Sequence, residues 1–283
     1  MVFAPPGGLS PSSMGAFTSC PLAFRFSYIE RLPEPPAAPA SKGTLVHLAL
    51  QHLMWRPAEE RTLDHALADL GRATADLAAD PEFAGLELTA EEWATFHADA
   101  EVLVRRYFEL EDPTRVRAIG LELRLEAELP SGVKLRGIID RLELDDAGEL
   151  VVTDYKTGSA PSEFWEAKSM AGVHVYSWLC EQVFGRRPAS IQLLYLSTPE
   201  RIVAHPSEQS LRGVAVKSTA VMQAVRTACE RSDFRPRPGP LCNYCSFREF
   251  CPSFGGDPDR AAPVLAERAE VAQGIQRLPL ASV

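Results

Sequence analysis

The chain has no run of about 18 uncharged apolar residues, so no membrane-spanning helix is expected. Its first residues, MVFAPPGGLSPSS, have neither a basic start nor an apolar core, which argues against a secretory leader and for a cytoplasmic protein. No Gly-x-x-x-x-Gly-Lys-Ser/Thr loop is present, which excludes that type of phosphate-cradling motor site. No internal repeat is found. Cysteine is scarce, at six in 283 residues. In a reducing compartment, cysteines are more often ligands or catalysts than disulfides. Positive charge is also lacking, with a net charge of −9.

What is present fits a soluble α/β protein. A hydrophobic content of 46% over 283 residues allows one large domain or a domain with an insertion. The charge is unevenly spread. Residues 59–112 hold 15 acids and 4 bases, so the rest of the chain is mildly basic. Residues 210–260 carry 8 basic and 5 acidic side chains. Such a distribution permits a nucleic-acid partner without arguing for one.

Read in order, residues 1–9 are rich in Pro and Gly and are expected to be disordered. Ser10-Pro11 is a helix start, with a capping serine before a proline at the first helical position. The spacing predicts a helix over 11–17, an amphipathic piece over 22–29, a linker at 33–39 and a helix over 43–55 carrying His47. Helices over 63–79 and 90–110 form an acidic helical insertion at 59–112. Strands are expected at 118–128, 134–144 and 149–155. A helix over 163–184, a strand at 190–197, a short strand at 201–204 and a helix over 211–229 follow. The stretch FRPRPG interrupts regular structure, a cysteine-cluster segment spans 234–255, and 256–283 is a weakly specified tail. Strands in a meander with an intervening helix imply an α/β core with a mixed sheet.

The most informative stretch is RGIIDRLELDDAGELVVTDYKTG, residues 136–158. Two strands flank the turn Asp145-Asp146-Ala147-Gly148, and each carries a carboxylate where an apolar residue would be usual: Asp140 and Asp154. Lys156 shares a strand face with Asp154, because strand side chains alternate. Hard carboxylate oxygens suit Mg²⁺ or Mn²⁺, and a lysine beside them can stabilise charge developing on a phosphoryl group.

Three cysteines stand together as C-x2-C-x5-C: Cys242, Cys245 and Cys251. Cys20, in a Cys-Pro junction like Cys251-Pro252, is the best fourth ligand. Four thiolates suit a [4Fe–4S] cluster, or a zinc ion as the alternative. Such a site would close a loop of 221 residues and restrain the unfolded chain. Cys180, Cys229 and Trp178 fall in helical patterns as core residues.

Taken together, GIIDR, VVTDYKTG, GTLVH and the four cysteines resemble the PD-(D/E)xK nucleases of the RecB exonuclease type, in the branch with an AddB-like iron–sulfur clasp. The matching pieces run from Ser10 to Pro252. The resemblance implies a restriction-endonuclease-like core with a mixed central sheet flanked by helices, in a single nuclease domain over 10–255. It implies His47, Asp140, Asp154 and the backbone carbonyl of Tyr155 as metal ligands and Lys156 as the catalytic lysine. It also implies [4Fe–4S] ligation by Cys20, Cys242, Cys245 and Cys251. On its own, His47 would read as a partly buried packing residue. His52, His65 and His97 are expected on helix surfaces.

Tyr176 matches the end of the family's Gln-x-x-x-Tyr motif, but Gly172 replaces the glutamine. Glu122, on the strand before the hairpin, is a further candidate carboxylate. The implied function is a Mg²⁺- or Mn²⁺-dependent DNA exonuclease in repair or recombination. It would act on single-stranded DNA or DNA with free ends, alone or with a separate helicase. A non-cleaving DNA-binding module or a zinc-stabilised interaction module is the alternative.

Overall fold

The computed structural model describes residues 3–161 and 163–276 and divides into two compact units. Unit 1 is formed by both chain ends, Met1–Glu34 and Thr219–Val283; unit 2 is Pro35–Ser218. Among the described residues no helix is long and apolar enough to cross a membrane.

Unit 2 is built on a five-stranded sheet of order β1-β2-β3-β4-β5: Arg117–Glu128, Lys134–Leu144, Leu150–Lys156, Ser190–Tyr195 and Glu200–Ala204. β1, β2 and β3 form an antiparallel meander, β3 and β4 are parallel, and β5 is antiparallel to β4. The parallel pair needs a crossover, supplied by α7, Glu163–Phe184. The central strand β3 is buried at every position but Lys156, whereas the short β5 forms one edge. The β2–β3 turn follows its sequence. The Asp145 side chain accepts from the N–H groups of Ala147 and Glu149, and Gly148 supplies the positive φ of +77°.

The acidic segment is a packed helical layer. α3 (Ala38–Trp55), α4 (Leu63–Leu77), α5 (Pro81–Ala84) and α6 (Ala90–Leu110) bury Leu45, Leu50, Leu53, Leu70, Phe96 and Val104 in one core. α3 starts at Ala38, inside the expected linker, because Pro39 falls within the first turn, where its missing N–H costs nothing. α6 is closed by a capping box between Thr89 and Glu92. Buried Asp69 is held by a two-pronged bond from Arg56, at 2.7 and 2.8 Å. His52, expected on the surface, is buried: it stacks on Trp55, with Nε2 3.6 Å from Asp76.

Beneath the hairpin lies a buried polar network. Arg141 is completely buried and ion-pairs with both Glu111 and Glu143. It also donates to the Tyr155 hydroxyl at 2.7 Å and to Thr153 Oγ1 at 3.2 Å. Gln192 on β4 donates to Glu143 at 2.9 Å and to Thr153 at 2.6 Å. The Tyr107 hydroxyl on α6 donates to Glu111 at 2.6 Å. The network ties β2, β3 and β4 to α6. Burial disfavours both charges, but each supports the other: Arg141 stays well above its ordinary pKa and Glu111 below its own.

Unit 1 contains α1 (Pro11–Ser19), α2 (Pro21–Phe24), a π-helical turn at Arg25–Glu30 and the part of α8 (Glu208–Arg231) from Thr219 on. Cys20 ends α1 and starts α2, and Phe24, Phe26, Val225, Phe234 and Phe247 form the core. The N-terminal stretch differs from expectation. Leu9 is fully buried, and Phe3 packs edge-on against Phe234 under the Arg25 guanidinium. The tail also differs, forming a short turn at Pro258–Arg260 and then α9, Ala261–Gln276. Buried Ala261 packs in the unit 1 core, with partly buried Val264 and Leu265 against it, an anchor too sparse to stand out in the sequence.

Truncating Arg141 leaves two carboxylates buried without their partner. Arg141→Met is expected to destabilise the protein by about 3–5 kcal/mol in denaturant unfolding. A loss below about 1 kcal/mol would show that the network does not hold the sheet to α6.

Candidate active site

The site lies where β2 and β3 part. Their pairing runs from Leu144/Leu150 to Arg141/Thr153 and stops there. Beyond that point, β2 pairs with β1, and residues 154–156 of β3 pair with β4. The next residues on the two diverging strands are Asp140 and Asp154. At the fork the Tyr155 N–H loses its strand partner, and Asp140 Oδ2 accepts from it at 2.7 Å. One Asp140 oxygen is thereby fixed in place.

His47 reaches the fork from α3. Its Nε2 donates to the Tyr155 carbonyl at 3.1 Å, because a carbonyl can only accept. Nδ1 then carries the lone pair, 3.6 Å from Asp140 Oδ2. Gly43, one turn earlier, explains the Gly-x-x-x-His pattern: an added Cβ would lie 3.3 Å from Thr157 Oγ1 beside the end of β3. Glycine lets α3 approach that closely.

Glu122 on β1 completes the group. It lies across from Asp140 in the β1–β2 register, between the pairs Leu121/Arg141 and Leu123/Ile139. Its backbone has φ of +46°, a left-handed conformation rare outside glycine and costing about 1–3 kcal/mol. Ligand atoms of His47, Glu122 and Asp140 all lie within 4.8 Å of one another. Two hard oxygens and an imidazole on three separate elements form a donor set that fits Mn²⁺ or Mg²⁺. Asp154 stands outside that set. It is buried, and its Oδ2 is 2.5 Å from Lys156 Nζ.

The electrostatics follow from burying several acids together. Asp140 is raised well above the carboxylate range, first by burial and then by the charge of Asp154. Burial also raises Glu122, whose other influences include Arg124 and Asp154. Burial lowers His47, keeping it a neutral imidazole, as a metal ligand must be. For Lys156, burial would lower the pKa, but Asp154 and Asp140 outweigh it and the ammonium stays charged.

Tyr176 on α7 belongs to the same field. Its hydroxyl pKa is raised by burial and then by the charges of Asp154, Asp140 and Glu122. Gly137 makes this placement possible, since a Cβ there would come within 2.8 Å of the Tyr176 ring. One helical turn before Tyr176, Gly172 faces open space, and among the described residues no side chain takes the expected glutamine's place there. Cys180 and Trp178 are buried, as expected of core residues.

The cysteines gather in unit 1. Cys20, Cys242, Cys245 and Cys251 line one small cavity with Phe26 and Phe247, and all four are free thiols. Burial raises the Cys245 pKa, partly offset by a hydrogen bond to the Phe247 backbone, and the charges of the other three cysteines raise it further. Three short 3-10 turns, Pro240–Tyr244, Arg248–Phe250 and Pro252–Phe254, shape the loop. Gly256 closes it, donating to Cys251 O at 3.0 Å, where a Cβ would meet Glu249 O at 2.2 Å. Soft thiols around one cavity suit a metal centre.

A pH dependence follows from Asp140. Its folded pKa lies above the unfolded value, so the folded metal-free protein binds the extra proton between the two. Stability therefore falls as pH rises through that window. Asp140→Asn keeps an acceptor for the Tyr155 N–H and removes the charge. Without divalent metal it is expected to melt higher than wild type at neutral pH, with the gap closing towards about pH 4. Thermal unfolding in chelator at several pH values measures this, and curves that stay parallel at every pH would contradict it.

Comparison with known proteins bears on the fold and the family. The chain is 24% identical over 278 residues to the Gene 69 protein of Mycobacterium phage D29, covering 87% of this chain and 96% of that protein. The Gene 69 protein of Mycobacterium phage L5 is 26% identical over 137 residues, or 47% of this chain and 44% of that one. The crystal structure of a candidate exonuclease from Eubacterium rectale superposes with a TM-score of 0.54 at 13% identity. That match covers 84% of this chain and 87% of the other, a likeness of fold. The mixed sheet with its flanking helices is a restriction-endonuclease-like α/β fold. The family model described as the PD-(D/E)XK nuclease superfamily matches residues 8–252, which takes in both the strand fork and the four cysteines, and the chain belongs to that superfamily.

Proposed function

We propose that this nuclease is a divalent-metal-dependent DNA exonuclease of the RecB type, acting in repair or recombination on single strands or free ends. The observation that carries the reading is the convergence of His47, Glu122 and Asp140 beside the Asp154–Lys156 pair. A divalent cation held by these ligands, with Asp154 and the Tyr155 carbonyl at hand, would polarise a phosphoryl oxygen and lower the pKa of a bound water.

The chain's own groups do the rest. His47 offers a neutral imidazole, and Asp140 is oriented by its bond from the Tyr155 N–H. Lys156, charged at neutral pH, stands ready to stabilise negative charge growing on the scissile phosphate. Tyr176 is placed to border the substrate strand. Hydrolysis would leave a 5′-phosphate and a 3′-hydroxyl.

The four cysteines would hold a [4Fe–4S] cluster that fastens the two ends of the chain within unit 1. Sequence spacing supports a cluster over a single zinc ion: structural zinc sites usually take their ligands from paired knuckles close in sequence, whereas 221 residues separate Cys20 from Cys242.

The open space at Gly172 favours one second reading, a DNA-binding protein that no longer cuts. End-labelled DNA digestion in Mg²⁺ or Mn²⁺ separates the two. Wild type is expected to degrade the strand, and Asp154→Asn and Lys156→Met to lose at least about a hundredfold in rate. Equal rates in all three would sink the catalytic reading. Protein purified without oxygen is expected to be brown, with about four irons per chain, and Cys251→Ser to lose them. Stoichiometric zinc in colourless protein would overturn the cluster.

A further inference from the structure

We propose that unit 1 carries a second nucleic-acid site, in which a basic cleft and an aromatic ledge hold a single strand. The proposal deepens the nuclease reading above and rests on it for the identity of the ligand. The cleft has a volume of about 570 Å³ and runs along α8, with Phe17, Thr227, Arg231, Arg235 and Arg237 in its walls. That size falls within the range of ligand-binding clefts. Its acidic lining residue, Asp233, is already paired with Arg235 at 3.0 Å. Arg237 is steadied by its bond to the Thr18 carbonyl at 2.6 Å. The Arg231 side chain makes no hydrogen bond or ion pair among the described residues. Three guanidinium groups facing one cleft suit the phosphates of a nucleic-acid backbone.

The surface continues beyond the cleft. Arg237 also lines the cysteine cavity, next to Cys242 and Arg248. On the 3-10 turn that carries Cys242, Leu241 is 72% and Tyr244 86% exposed. A large aromatic ring held in water on a short, cysteine-anchored turn contributes nothing to the core. It is suited to stacking on a base, which every base permits.

Charge places the strand's affinity here. Unit 2 holds 29 acids against 19 bases, an excess carried by its helical segment 59–112, so unit 2 offers a polyanion no net attraction. Between Thr219 and Arg248, unit 1 has five arginines and two acids. Guanidinium contacts to phosphate release counterions, so binding here should depend steeply on salt.

The test is fluorescence anisotropy of the full chain in chelator, where binding is read without cleavage. The probes are a labelled single strand of about 20 nucleotides, its RNA counterpart and the DNA duplex. Arg231→Glu/Arg235→Glu is expected to weaken single-strand binding at least about tenfold and to flatten the log–log salt slope by about 1.4. Tyr244→Ala is expected to weaken single-strand binding about fivefold and to leave the duplex nearly unchanged. Arg231→Lys/Arg235→Lys and Tyr244→Phe should largely preserve binding. The RNA arm tells which kind of strand the site holds.

Unchanged binding in the glutamate variant would overturn the site. So would equal losses in the lysine and phenylalanine variants, which would assign these residues to the fold. The two readings fail separately. A wild type that binds the strand but never cuts it with metal sinks the nuclease and leaves the site. A wild type that cuts while the glutamate variant binds normally does the reverse.

Discussion

Arg141 is sealed between Glu111, Glu143 and the hydroxyl of Tyr155, and the active-site geometry depends on that buried pairing. A guanidinium with two carboxylates in the interior tolerates little displacement, since each group would otherwise be an unpaired buried charge. The pairing fixes Arg141 opposite Thr153. Strand side chains alternate, so the same register turns Asp140 and Asp154 to the other face, at the point where the strands part. A slip of one residue would exchange the two faces, taking the arginine from its carboxylates and the aspartates from the fork, a large penalty that makes the register single-valued. The helical layer takes part directly, because Glu111 follows α6 and Tyr107 lies on it.

The other face gathers acids whose conflict a bound cation would relieve. Burial raises the pKa of Asp140 and of Glu122, and the nearby charge of Asp154 adds to both shifts. Glu122 adds a strained backbone. Such local costs are tolerated where function needs them. Lys156 relieves part of the charge through Asp154 and leaves His47, Glu122 and Asp140 facing one another. Charge is also divided along the chain: the acid excess of unit 2 sits in its helical segment 59–112, and unit 1 carries the clustered arginines.

Much of this was legible in the sequence. The hairpin, its turn residues, His47, Lys156 and the cysteine spacing each carry a local signal, in periodicity, turn chemistry or motif. Glu122 was harder, because one glutamate in an alternating strand looks like a solvent-facing residue. Only the register with β2 sets it opposite Asp140. The Arg141 network left a fainter trace: polar residues at 141, 143, 153 and 192 amid apolar neighbours, whose partners lie up to 49 residues apart. His52 was misplaced because its helix is buried on more than one side. Residues 3–9 and the start of the tail are held by anchors as sparse as Phe3, Leu9 and Ala261, on which composition is silent.

Electron paramagnetic resonance of added Mn²⁺ tests most directly whether His47, Glu122 and Asp140, from three elements, bind one catalytic cation, since bound ions lose the sharp signal of the free ion. Wild type is expected to show a tight site that is lost or strongly weakened in Glu122→Gln and Asp140→Asn, with Tyr244→Ala unaffected. Full Mn²⁺ binding in those two carboxylate variants, or none in wild type, would contradict it.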